Sequence, residues 1–103
     1  MAIIFEYLYR DGGNFKNWGE ACFKNEQGLS VEEIDARIRE CLIDGMNFSA
    51  EKVGLPTLYF DEHNEQLDHE WHEYDRVREG SLAGDDVKVD IEVLINRLQK
   101  SHK

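Results

Sequence analysis

The chain has 103 residues, 41% of them hydrophobic and 33% charged, a balance too apolar for disorder and a length that suits one domain with one modest core. Twelve Lys and Arg against 22 Asp and Glu give a formal net charge of −10, which repels nucleic acid and anionic membrane and, with no basic patch in the sequence, argues against direct nucleic-acid binding. No apolar run approaches the roughly 20 residues of a membrane span, no basic stretch precedes Ile3, and Cys22 and Cys41 are too few for a disulfide framework, so a cytoplasmic protein with reduced thiols is expected.

Residues 2 to 10 alternate, with Ile3, Phe5, Tyr7 and Tyr9 on one side and Ile4, Glu6, Leu8 and Arg10 on the other. β-Branched and aromatic residues on both sides predict an inner strand. Asp11-Gly12-Gly13-Asn14 is turn chemistry, and residues 18 to 24 then return as the second strand of a hairpin, with Trp18, Ala21, Cys22 and Phe23 as packing groups. After a second turn at Asn25 to Gly28, Ser30-Val31-Glu32-Glu33 has the form of a capping box. Val31, Ile34, Ile38, Cys41 and Leu42 recur at helical spacing, Glu33–Arg37 and Asp35–Arg39 are favourable pairs, and Gly45 is a stop; the spacing predicts a helix over 31–44.

Phe48 to Val53 reads as a short strand, Gly54-Leu55-Pro56 as a turn, Thr57 to Phe60 as β-prone and Asp61 to Asp68 as an exposed loop. Trp71 to Val77 is predicted as another strand and Gly80 to Asp86 as a loop. Val87, Ile91, Leu94, Ile95 and Leu98 form one stripe, predicting a helix over 87–100 with Asp85 and Asp86 at its start and Arg97 and Lys100 near its end. These elements predict an α+β fold in a single domain: a small, mostly antiparallel sheet of three to five strands packed by two helices.

His63, His69 and His72 lie among carboxylates, the donor set of zinc and related ions. On a strand His69 and His72 face opposite sides, and no HExxH is present, so they are weak metal candidates against a reading as surface histidines. Cys22 falls in a strand pattern and Cys41 on a helical stripe, where both read as small hydrophobes rather than nucleophiles. Asp86-Val87-Lys88 has a DxK spacing, but three residues at a helix start are cheap by chance and suit a cap. No phosphate-binding, dinucleotide or nucleophile-elbow motif is present, and no cofactor is expected. Arg10, Asp11, Asn14, Lys16 and Trp18 gather in and beside the first turn, where rigid strands position binding groups; with Trp71 and His72 they form the candidate binding surface. The competing reading puts both tryptophans in the core and pairs Arg10 with a nearby acid.

Residues 55 to 79 hold Asp61, Glu62, Glu65, Asp68, Glu70, Glu73, Asp75 and Glu79 against Arg76 and Arg78. A solvated face accounts for such a run, and so does a surface that meets a basic partner. The function expected is therefore a non-enzymatic protein-binding or regulatory module whose partner has a basic surface, with mimicry of nucleic acid as one form. The alternative is a small metal-dependent or ligand-modifying enzyme using the His and acid cluster at 61–73. A homodimer is compatible with either.

Tyr7-Leu8-Tyr9-Arg10-Asp11 with Asn14 and Lys16-Asn17-Trp18-Gly19 resembles the start of small uncharacterised bacterial proteins. Asp44-Gly45, Ala50-Glu51-Lys52-Val53-Gly54-Leu55-Pro56, Asp68-His69 and Trp71-His72-Glu73 resemble their middle, so the likeness spans residues 7 to 73. It implies a bacterial or phage-related origin and a cytoplasmic setting, and no particular chemistry.

Overall fold

A computed structural model describes residues 2–11, 13, 15–59, 71–80 and 87–101, the side chains of Val87 and Lys88 excepted. Its elements are β1 (Ala2–Arg10), β2 (Lys16–Lys24), α1 (Val31–Cys41), β3 (Asn47–Phe48), β4 (His72–Gly80), β5 (Val87–Asp90) and α2 (Ile91–Ser101). The strands make one sheet in the order β3-β4-β1-β2-β5. The fold is α+β, and its sheet is antiparallel except where β5 runs parallel to β2.

β1 takes the inner position that its two apolar faces call for, paired along its whole length with β2 on one side and from Ala2 to Tyr9 with β4 on the other. Ile3, Phe5 and Tyr7 join Ala21 and Phe23 of β2 and Tyr74 and Val77 of β4 in the main core. Ile34 and Ile38 of α1 and Ile91, Leu94, Ile95 and Leu98 of α2 close that core from the same side. Phe5 is its centre, with the rings of Tyr7, Phe23, Phe48 and Tyr74 at centroid distances of 5.2 to 6.5 Å. Such tilted and edge-on contacts add to the burial energy of the rings themselves.

Polar contacts lock the helix layer. Arg37 of α1 grips Glu92 of α2 through both guanidinium nitrogens, with Nη2 donating to Oε2 at 2.9 Å. The Tyr74 hydroxyl donates to Asp35 Oδ1 at 2.6 Å, and the Arg39 guanidinium lies 4.9 Å from the Tyr74 ring centre. Burial, and then the Asp35 carboxylate, hold the Tyr74 hydroxyl far above the ordinary phenol range. The Tyr7 hydroxyl, pushed up to about 12 by burial, donates to the Pro56 carbonyl at 2.7 Å.

Two elements differ from the sequence reading. Residues 87 to 90 are strand, not the first turn of the last helix. Asp90 marks the change: its Oδ2 accepts from the Glu92 amide at 3.0 Å as a cap, while its Oδ1 accepts from the Glu26 amide at 2.8 Å. Within 48 to 53 only Phe48 is strand; Ala50 to Gly54 coils into turns, with the Leu55 amide bonded to the Ala50 carbonyl and Gly54 at φ 76°. Helix α1 begins as its cap predicts, with the Glu33 amide donating to Ser30 Oγ at 3.1 Å. It stops at Cys41, because Leu42 is extended and Asp44 and Gly45 both take positive φ. No helix among the described residues is long and apolar enough to cross a membrane.

Candidate binding face

The helices cover one face of the sheet, so strand alternation sends every second side chain to the other. From β1 these are Ala2, Ile4, Glu6, Leu8 and Arg10. The register sets Lys16 opposite Arg10, Trp18 opposite Leu8, Glu20 opposite Glu6 and Cys22 opposite Ile4. On the β4 side Glu73 stands opposite Leu8, Arg76 opposite Glu6 and Arg78 opposite Ile4. The register shifts by one between Glu6 and Tyr7, so Asp75 is an extra residue in β4, a β-bulge.

This second face has two ends. At one, Ala2, Ile4 and Cys22 form a small buried cluster, and a Cβ added to Gly80 would stand 2.6 Å from Ile4 Cγ1. At the other, Trp18 is 55% exposed beside the nearly buried Leu8. Between them runs a chain of ion pairs. Glu6 accepts from Arg76 Nε and from Arg78 Nε, both at 2.7 Å, and Arg78 Nη2 continues to Glu20 at 3.1 Å. Arg10 Nε donates to Glu73 Oε2 at 2.8 Å. The Glu6 carboxyl is held below its ordinary range, first by its hydrogen bond from Arg76 and then by that from Arg78. Trp18, Gly19, Glu6, Glu20 and Asp75 line an open cavity of about 340 Å³ on this face.

The charge of the molecule is distributed unevenly. Arg10, Lys16, Lys24, Arg76 and Arg78 are set against Glu6, Glu20, Glu73 and Asp75 here, so the face is nearly neutral in a chain of −10. The acidic excess among the described residues lies elsewhere, for example at the exposed Glu32, Glu33 and Glu40 of α1.

The structure therefore gathers part of the expected surface. Arg10, Lys16 and Trp18 share the helix-free face. Trp71 is half-buried, one residue before β4. Asp11 instead closes the hairpin: its Oδ1 accepts from the amides of Gly13 and Phe15, both at 2.9 Å. Phe15, 70% exposed next to that turn, is a large apolar group that sequence reasoning passed over. His72 lies on the opposite, helix side, fully buried against the rings of Tyr7, Tyr9, Phe48 and Tyr59. Its Nε2 accepts from the Leu58 amide at 2.9 Å, which ties the 55–59 segment to β4 and engages the lone pair a metal would need. Its place in the core, rather than beside Arg10, follows from its pairing with Tyr9.

Asn14, His63 and His69 lie outside the described residues. Among the described residues no group of three or more His, Cys, Asp and Glu is placed to hold a metal ion. Glu6, Glu20 and Asp75 were missed as neighbours, although the alternation that places Trp18 places Glu20 too. Comparison of the chain with protein-family models, with curated proteins and with solved structures finds no match.

Proposed function

We propose that the protein is a non-enzymatic binding module that engages a protein partner with a basic surface through the helix-free face of its sheet. The observation that carries the reading is Trp18: a 55% exposed indole on a sheet face with no helix over it among the described residues, beside an open cavity. Tryptophan and arginine are favoured anchors at protein interfaces, and Arg10, Arg76 and Arg78 share this face. The net charge of −10 acts at longer range, drawing a basic partner toward the molecule. The near-neutral face then adds no strong net repulsion as the two surfaces close. A cytoplasmic setting, in a bacterium or its phage, belongs to the same reading.

Affinity capture from bacterial lysate, with wild type and Trp18→Ala as paired baits, tests it. A discrete partner should be held by the wild type at low ionic strength and released at about 1 M salt, where the Debye length falls to about 3 Å. The Trp18→Ala bait should fail to hold it while keeping the far-ultraviolet dichroism of the wild type. Equal retention on both baits would remove the face from the reading.

A further inference from the structure

Around the cavity beside Trp18, acidic residues outnumber the arginines bonded to them. Three carboxylates line it: Glu6, Glu20 and Asp75. Two guanidiniums serve them, with Arg76 on Glu6 and Arg78 bridging Glu6 and Glu20. Among the described residues no hydrogen bond or ion pair reaches the Asp75 carboxylate, which the bulge in β4 adds to the lining and which feels Arg76 only through its charge. Gly19 and the exposed Trp18 complete the lining. The indole faces are electron-rich, and cations within about 6 Å of such a ring are attracted by its quadrupole.

We infer that this cavity receives one arginine side chain of the partner, its guanidinium stacked on Trp18 and its N–H groups directed at Asp75 and the outer oxygen of Glu20. The inference rests on the binding-module reading and names the group recognised. Arginine fits better than lysine on two counts. Its guanidinium is planar and weakly hydrated, so it stacks on indole with less to lose from water. Its donors also fork, so one group can address two carboxylates on different strands, whereas an ammonium acts as a point charge. A neutral side chain of the same shape would bring Asp75 and Glu20 no charge of its own.

The test uses the intact protein labelled with ¹⁵N, its Trp18 indole N–H identified by its loss in Trp18→Phe. Three blocked tripeptides serve as probes, Gly-Arg-Gly, Gly-Lys-Gly and Gly-citrulline-Gly, the last being the uncharged counterpart of arginine. The arginine peptide should shift the Trp18 indole signal saturably. Lysine should bind several-fold more weakly and citrulline not at all. Asp75→Asn, which keeps the size of the side chain, should weaken arginine binding about fivefold or more while leaving the far-ultraviolet dichroism unchanged. No saturable shift at Trp18, equal binding of citrulline or of lysine, or full affinity in Asp75→Asn would each overturn the inference. Failure here alongside Trp18-dependent capture from lysate would overturn the arginine assignment alone. Loss of Trp18-dependent capture as well would overturn the binding-module reading.

Discussion

On the side facing the helices β1 presents Ile3, Phe5, Tyr7 and Tyr9, none more than 1% exposed. On the other it presents Ala2, Ile4, Glu6, Leu8 and Arg10, flanked by charged residues and an exposed tryptophan. The same nine residues thus contribute to a sealed core on one side and to a charged, partly exposed face on the other. Polar groups on the two faces are used differently. On the helix side Tyr7 and His72 each satisfy one distant backbone group and hold the 55–59 segment in place. On the open side Glu6 and Arg78 share partners across three strands in a chain of pairs that water can reach.

Stability measurements can break this contrast. Phe5→Ala should cost about 3–5 kcal/mol in denaturant unfolding followed by circular dichroism, because it empties the centre of the aromatic core. Trp18→Ala should cost about 1 kcal/mol or less. Similar costs for the two would mean that the faces are not distinct. His72→Phe keeps the ring but removes the acceptor of the Leu58 amide, so a loss of about 1–3 kcal/mol is expected. Faster hydrogen exchange at Leu58 should accompany it; unchanged exchange there would show that the bond does not hold the segment.

Gly80→Ala probes the packed end of the open face. The new methyl meets Ile4, and a loss of about 1–2 kcal/mol should follow, as for other overpacked sites. No loss would show that this end is as loose as the Trp18 end. The smallest effect concerns pH. The Glu6 carboxyl is lowered in the folded state from its unfolded value of 4.5, so its contribution is complete above that value. It disappears as pH falls through the lower folded value. Acid unfolding curves of Glu6→Gln should therefore converge with wild type at low pH and lie below it near neutrality. A constant offset at all pH values would assign the effect to packing instead.

How much of this was legible in the residues depends on how local the cause is. The alternation of Ile3 to Arg10, the Ser30 cap and the Ile34–Ile38 stripe act within a few residues and read directly. Val87 lies four residues before Ile91 and so extends the helical stripe backwards on paper; what makes it strand is pairing with Cys22, 65 positions away in sequence. The three-residue spacing from Tyr74 to Val77 fits one face of a helix but not a regular strand. The bulge at Asp75 resolves it by adding one residue, so that both side chains reach the core. The same bulge brings Asp75 into the cavity with Trp18, which no spacing rule anticipates. Arg10, Lys16 and Trp18 could be placed on one face from the hairpin alone, whereas His72 needed the register of β4.

The central position of β1 has a consequence for how the chain is made. The innermost strand of the sheet, β1, leaves the ribosome before each of the strands described beside it. Its neighbour β2 follows at once, but β4, which covers its other edge, begins only at His72. At translation speeds of about 5–20 residues per second the roughly 50 residues between Lys24 and His72 take about 3–10 s to appear. During that interval the nascent hairpin offers an unpaired edge of Ile, Phe and Tyr. The protein should accordingly depend on ribosome-associated chaperones during synthesis more than on refolding aids afterwards, and slowing translation between β2 and β4 should lower its soluble yield.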